Sequence, residues 1–415
     1  MSVKLRPYTE YKDPGVPWLG RVPSDWDVVR LKHASDQIVC GATPASSAAE
    51  NWDGDIVWAT PADVGKSRWL RDSQRQITDA GLASCSARLV PRGSIILTCR
   101  APIGGVALAA MPLCTSQGCK SIIPNASRLH SVFGFYLMGA MKHHLQSLGS
   151  GTTFPEISTD VLAGTEIPIP PLHMQRQIAA FLTRVDLTVR RLIRAKRRQI
   201  ELLNEQKQVI INWAVTRGLD PNPRLKPSGV EWPASIPSHW QVKRLKNLAR
   251  FLSGGTPSTS SQEFWNGSIP WVSPKDMKGP CILDAQDHVT ELALAERALP
   301  RVPSGSMLIV VRSGILRRQI PVAITDCETT INQDMKAVIC DHHRLVPEFL
   351  MMFIVGNQRA LLSIWRKHGA TVESLELDWI RDTYVPVPPM EEQHSIVQEL
   401  LDRTKAFDSA SALIG

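Results

Sequence analysis

The sequence predicts a mixed α/β (α+β) protein: two globular domains in tandem repeat, joined by long α-helices that form an antiparallel coiled-coil pair. Three observations carry this expectation. The chain resembles itself after roughly 213 residues, a period far too long for a solenoid and right for a duplicated domain. Short apolar, strand-like runs fill each copy. After a proline pair each copy then switches to apolar residues spaced three or four apart, the mark of an amphipathic helix.

The repeat is ordered along its whole length. VPWLGRVPSDWDVVRLK (16–32) returns as VEWPASIPSHWQVKRLK (230–246), with Trp18, Pro23, Ser24, Trp26, Arg30, Leu31 and Lys32 matched. GATP (41–44) returns as GGTP (254–257), and WDGDIVWATPAD (52–63) as WNGSIPWVSPKD (265–276), both tryptophans in register. VPRGS at Val90 answers VPSGS at Val302, each leading through an apolar stretch to an arginine, Arg100 or Arg312. SQGCKSII (116–123) parallels NQDMKAVI (332–339), and IPIPPL (167–172) parallels VPVPPM (385–390). Between these anchors the copies diverge: RWLRDSQRQITDAGLASCSA has little in common with KGPCILDAQDHVTELALAER. One scaffold with different intervening surfaces suits two readers of different targets; drift after duplication leaves the same trace.

Prolines set the helix boundaries, because the ring removes a donor and restricts the preceding residue. In the first copy Ile178, Leu182, Val185, Val189 and Leu192, then Ile193, Ile200, Leu203 and Ile210, carry one stripe to Trp213. That is a helix of about 40 residues, roughly 60 Å at 1.5 Å per residue. It ends near Gly218, with Pro221 and Pro223 as stop signals. Ile396, Leu400, Phe407, Ala410 and Ile414 give the second copy a similar stripe and make it the expected antiparallel partner. The expected boundaries are 1–168 for the first domain, 169–218 for the central helix, 219–386 for the second domain and 387–415 for a short, truncated distal helix. The helical pair reads either as a ruler between the domains or as a plain connector. Its basic run, Arg190, Arg191, Arg194, Lys196, Arg197 and Arg198, reads as a solvated face or as a surface for phosphates or an acidic partner.

Composition narrows the function. With 415 residues, 43% hydrophobic and 21% charged, the chain has the makings of two or three folded domains. A net charge of +8 is compatible with a polyanionic partner. The opening MSVKLRPYTEYKDPG lacks a secretory core and no run of about 18 apolar residues occurs, so a cytoplasmic protein without a membrane partner is expected. Eight cysteines form no CxxC pair and read as reduced, mostly buried thiols rather than a metal site. TPADVGKS (60–67) lacks the first glycine of a phosphate-binding loop, and its counterpart SPKDMKGP (273–280) loses the Gly-Lys-Ser altogether. No methyltransferase, dinucleotide, zinc-protease or nucleophile-elbow motif is present, so no catalytic residue is expected. The pairs His143 with His144 and His342 with His343 read as surface or capping histidines.

At these residues the chain resembles the specificity subunit of type I restriction-modification systems, over essentially its whole length. The matching features are Trp18 with Trp26 and Trp232 with Trp240, GxTP, RAPIG (100–104), SQxxK at Ser116, GSGTTFPEIS (149–158), PIPPL (168–172), IELL at Ile200 and AVTRG at Ala214. The resemblance implies that each globular head is a target-recognition domain for half of a bipartite site in double-stranded DNA. It further implies that the helices bind two methyltransferase subunits and that motor-nuclease subunits join through the complex. This chain would hold no cofactor, and the partners would use S-adenosylmethionine, ATP and Mg. Two stretches depart from the pattern: RSGILRRQIPVAI after Arg312 replaces RAPIGGVALA, and GATVESLEL (369–377) weakly replaces GTTFPEIS. A stand-alone DNA-binding regulator, or a nuclease with a dispersed site, are the competing readings.

Base reading needs donors and acceptors at major-groove edges and cations on flanking phosphates. In the first head the candidates are Lys66, Arg68, Arg71, Arg75, Arg100, Gln117, Lys120, Thr152 and Thr153. In the second they are Lys275, Lys278, Arg312, Arg317, Arg318, Gln333, Lys336, Lys367 and Thr371. The four tryptophans at the domain starts are assigned to packing.

Overall fold

The computed structural model describes residues 7–150, 155–297, 299–367, 369 and 372–414. The chain divides into two compact units, Met1–Leu192 and Ile193–Gly415. The first contains strands β1 (Ser35–Cys40), β2 (Trp52–Ala59), β3 (Trp69–Leu70), β4 (Gln76–Ile77), β5 (Ile95–Thr98), β6 (Val106–Ala109), β7 (Cys114–Thr115) and β8 (Cys119–Pro124). They form a five-stranded sheet in the order β1-β8-β5-β6-β3 and a three-stranded sheet in the order β7-β2-β4. Every residue of β5 (IILT) and β6 (VALA) is buried, as central strands covered on both faces must be. Helix α1 (Ser131–Ala140) packs Phe133 and Met138 onto the core formed with Ile95, Leu97 and Leu108.

The second unit repeats this plan with β9 (Ala249–Ser253), β10 (Trp265–Val272), β11 (Cys281–Ile282), β12 (Asp287–Val289), β13 (Met307–Val310), β14 (Val322–Thr325), β15 (Thr330–Ile331) and β16 (Met335–Cys340). The orders are β9-β16-β13-β14-β11 and β12-β10-β15, strand for strand those of the first unit. Each unit is closed by its own ends: Asp27–Arg30 pairs antiparallel with Glu166–Ile169, and Gln241–Arg244 with Tyr384–Val387. The repeated WDGD and WNGS motifs mark one bulge. Asp53 and Asn266 stand at φ 61° and 59°, a left-handed conformation that short polar side chains tolerate. A side chain on the following Gly54 or Gly267 would strike the facing strand.

Helix α2 (Leu172–Arg217) runs unbroken for 46 residues, beginning in the first unit and ending in the second. Its start buries Ala179 in the first core, and its end buries Ile211, Ala214 and Val215 in the second. Between them the stripe is open to solvent, with Val185, Val189, Leu192 and Ile193 between 41% and 57% exposed. In the second unit, α3 (Pro347–Trp365) fills the core and α4 (Met390–Ile414) lies against the end of α2. A β-carbon at Gly218 would lie 3.1 Å from Glu392, and Lys207 pairs with Asp408 at 2.7 Å. The two contacts run in opposite chain directions, so the helices are antiparallel where they meet. At 25 residues α4 is about half the length of α2.

A buried glutamine fastens the start of each helix. Gln175 accepts from the His130 amide (2.8 Å) and donates to the carbonyls of Arg128 (2.7 Å) and Pro170 (2.8 Å). Gln393 does the same with the Val346 amide (2.8 Å) and the carbonyls of Arg344 and Pro388 (both 2.9 Å). The tryptophans at the domain starts pack inward: Trp18 stacks on His144 at 5.0 Å, Trp232 meets Phe353 at 5.7 Å, and Trp240 is fully buried.

Candidate nucleic-acid interface

In each unit the three-stranded sheet carries a fixed aromatic platform. The rings of Trp52 and Trp58 lie 5.2 Å apart at 82°, and those of Trp265 and Trp271 lie 5.3 Å apart at 84°. All four indole N–H groups donate to backbone carbonyls, those of Ala45, Ala42, Ser258 and Gly255. The edge-to-face geometry is therefore locked from below.

Beside the platform, one aspartate holds a surface loop in each unit. Asp63 accepts from the Thr60 amide (2.9 Å), the Thr60 hydroxyl (2.6 Å) and the Gln74 amide (3.0 Å). Asp276 accepts from the Ser273 amide (2.9 Å), the Ser273 hydroxyl (2.8 Å) and the Gln286 amide (3.1 Å). TPADVGKS is thus a turn closed by its own carboxylate, whose charge would repel the phosphate that a Gly-rich loop cradles. One residue beyond the anchored amide the units differ. Arg75 lies over the Trp52 ring with its guanidinium carbon 3.5 Å from the centroid. The matching position is Asp287, held by Lys275 at 2.6 Å, and that hydrogen bond lifts the Lys275 ammonium above the ordinary lysine range.

The other candidates separate into free and engaged groups. In the first unit Lys66, Arg68 and Arg71 line one cavity of about 740 Å³ together with Gln74. Lys66 and Arg71 are exposed there. Arg68 instead donates to the hydroxyls of Tyr136 (3.2 Å) and Thr183 (2.7 Å), pinning the sheet to α2 within the unit. Arg100 donates to Glu156 at 2.7 Å, and Gln117 accepts from the Thr43 hydroxyl. Lys120 is 2% exposed and reaches Glu156 at 3.3 Å, so its ammonium stands inside the unit rather than on a surface. Thr152 and Thr153 lie outside the described residues, as does Thr371.

In the second unit Lys278 and Arg318 are exposed. Arg317 and Arg318 line a cavity of about 840 Å³ with Trp232 and Arg359, an arginine that sequence reasoning passed over. Arg317 pairs with Glu373 (3.2 Å), Arg312 with Asp334 (3.9 Å) and Lys367 with Glu376 (2.8 Å). Gln333 accepts from the Thr256 hydroxyl, repeating the Gln117 contact. Lys336 is half-buried, and burial pushes its ammonium below the lysine range, with Asp334 pulling partway back. The stretch after Arg312 is remodelled into a 3-10 turn, Gly314–Arg317. All eight cysteines are free, and burial pushes Cys99 and Cys114 up to about 12.

Glu156 was not among the candidates, although it holds two of them. Burial raises its carboxyl, but hydrogen bonds from Arg100 and Lys120 outweigh this and leave it below the ordinary 4.5. A depressed carboxylate stabilises the fold fully above its ordinary value and loses that contribution as the pH falls through the folded value. The first unit should therefore weaken in acid below about pH 4.5. Removing the carboxylate alone strands a buried ammonium, so Glu156→Gln should cost roughly 2–3 kcal/mol; this is less than for a fully buried pair because Glu156 is partly solvated. Lys120→Met, which removes the ammonium instead, should cost less and leave DNA affinity unchanged. Urea denaturation and a binding titration check both, and a large loss of affinity in Lys120→Met would return that residue to the interface.

The sequence profile described as the type I restriction modification DNA specificity domain matches residues 23–202 and 237–411. The chain is 32% identical over 410 residues, 97% of its length and 92% of the relative's, to the type I restriction enzyme MjaIX specificity subunit of Methanocaldococcus jannaschii. Its fold is similar to that of a solved chain from work on complex assembly and conformational transition of the type I R-M system. There the TM-score is 0.72 at 18% identity, covering 95% of this chain and 93% of the other. The HsdS subunit of Thermoanaerobacter tengcongensis follows at a TM-score of 0.55 and 18% identity, with coverages of 95% and 91%.

Proposed function

The chain belongs to the family of type I restriction-modification DNA specificity subunits, and from that premise we propose that each unit reads one half of a bipartite sequence in double-stranded DNA. The observation that carries the reading is the pairing of a repeated scaffold with a non-repeated surface. The platforms, the Asp63 and Asp276 anchors and the strand orders repeat, while the loops hung on them differ in charge and shape. A shared scaffold suits a shared mode of approach to a duplex, and different side chains give the units different sequences to recognise.

The family is a recognition component, not a catalytic one. Chemistry then belongs to partners: two methyltransferase subunits docked on the helices, with motor-nuclease subunits joining through the complex. The solvent-exposed apolar residues in the middle of α2 suit a docked protein. S-adenosylmethionine, ATP and Mg would serve those partners, and the isolated chain should neither transfer a methyl group nor hydrolyse ATP.

Exchanging residues 33–165 for the matching stretch of another family member tests the modular reading. Mapping of methylated bases in cells carrying the chimera should show one half of the recognised sequence replaced and the other half kept. A change in both halves would defeat it.

A further inference from the structure

We propose that Arg75 is a guanine-reading side chain of the first unit, preorganised by its stack on Trp52; the inference rests on the DNA-reading function above. The guanidinium carbon stands 3.5 Å from the indole centroid, close enough for the indole to cover the group, and a stacked guanidinium keeps its in-plane N–H groups open at the rim. Trp52 is itself buried, tied to the Ala45 carbonyl at 3.1 Å and set edge-to-face against Trp58. The backbone is equally fixed, because the preceding Gln74 amide is anchored by Asp63 and the following Gln76 is paired with Val57.

The other first-unit arginines near this surface are differently placed. Arg68 is fastened to Thr183 and Arg100 to Glu156, while Arg71 lines a cavity that also holds Asp63, Asp72 and Asp186. Arg75 is exposed at the sheet edge with no carboxylate bound to it among the described residues. A flat fork with two parallel donors matches O6 and N7 of guanine in the major groove. Little side-chain freedom remains to be lost on binding.

The second unit carries the control. His288 pairs with Pro270 as Gln76 pairs with Val57, so Asp287 occupies the place of Arg75 on the same anchored loop. There the outward group is a carboxylate already bound to Lys275. The equivalent spot in the second unit therefore presents no guanidinium fork, and the base it faces is recognised differently or not at all.

The test incubates the full-length chain with a randomised duplex DNA library and sequences the retained fraction, for the natural protein, Arg75→Gln and Arg75→Lys. Both variants keep an exposed polar side chain, and thermal melting verifies their fold. The natural chain should enrich a two-part motif. Both variants should lose preference for one G·C pair in one half only, with affinity for the intact motif falling about 5- to 150-fold, the worth of one bidentate base contact. A motif unchanged in every position overturns the proposal. Uniform weakening that lysine rescues would make Arg75 a phosphate contact. If the natural chain enriches no motif, the DNA-reading function itself fails, which is a different result from an unchanged motif.

Discussion

Alanine at Gly41 or Gly254 will unfold the unit that carries it. Each glycine immediately follows an edge strand of the five-stranded sheet, where the chain crosses over the segment leading from the three-stranded sheet. A β-carbon on Gly41 would stand 2.1 Å from the Ser116 carbonyl oxygen and 2.3 Å from that of Thr115. On Gly254 it would stand 2.0 Å from the Ile331 oxygen and 2.4 Å from that of Asn332. These are backbone atoms of buried residues, and the Ala42 amide is itself hydrogen-bonded to the Thr115 carbonyl at 2.9 Å. The crowding cannot be relieved by turning a side chain, so the two strands must part. The cost should exceed about 4 kcal/mol, much of what a domain of this size has in total. Limited proteolysis should degrade the substituted unit and leave the other as a protected fragment. A fully protected chain would show that the crossing has slack.

Leucine at Gln175 or Gln393 should be nearly as damaging. Both side chains are wholly buried, and each satisfies one amide and two carbonyls. Leucine fills the space and makes none of these bonds. At about 1–3 kcal/mol for each stranded group, with partial relaxation, the loss should be about 3–5 kcal/mol. It would fall where the proline pair turns into the helix, so the start of α2 or α4 should exchange its amide hydrogens faster than the rest. Unchanged exchange at residues 128–132 and 172–178 in Gln175→Leu would mean that water takes over the contacts.

The repeat made most of the architecture legible. Matched tryptophans at 52 and 58 and at 265 and 271 became two platforms of the same edge-to-face geometry, and the proline pairs became the starts of α2 and α4. The long helix was readable because apolar spacing is a local signal. The interface was less so. Lys120 looked like a surface cation because a sequence shows charge and not burial; its partner Glu156 is 36 residues away and is brought in by backbone bridges to Arg100 and Ser150. Gln117 and Gln333 matched between copies because each is held by the threonine of GxTP, a structural reason for the match. Asp63, Asp276, Gln175 and Gln393 were passed over, although each pair recurs at matched spacing. Uncharged or solitary residues draw less notice than clusters of arginine.

The pairing of Asp27–Arg30 with Glu166–Ile169 joins segments about 140 residues apart. Closing so long a loop is entropically costly and makes this pair a late event in folding. On the ribosome the first unit cannot seal until Ile169 has left the exit tunnel, immediately before α2 begins to emerge. All of its pairing segments are thus outside the tunnel before most of the second unit has been synthesised, which gives the two copies the chance to fold in sequence. Strands of such similar pattern, present together while unpaired, could exchange partners between copies; vectorial synthesis separates them in time.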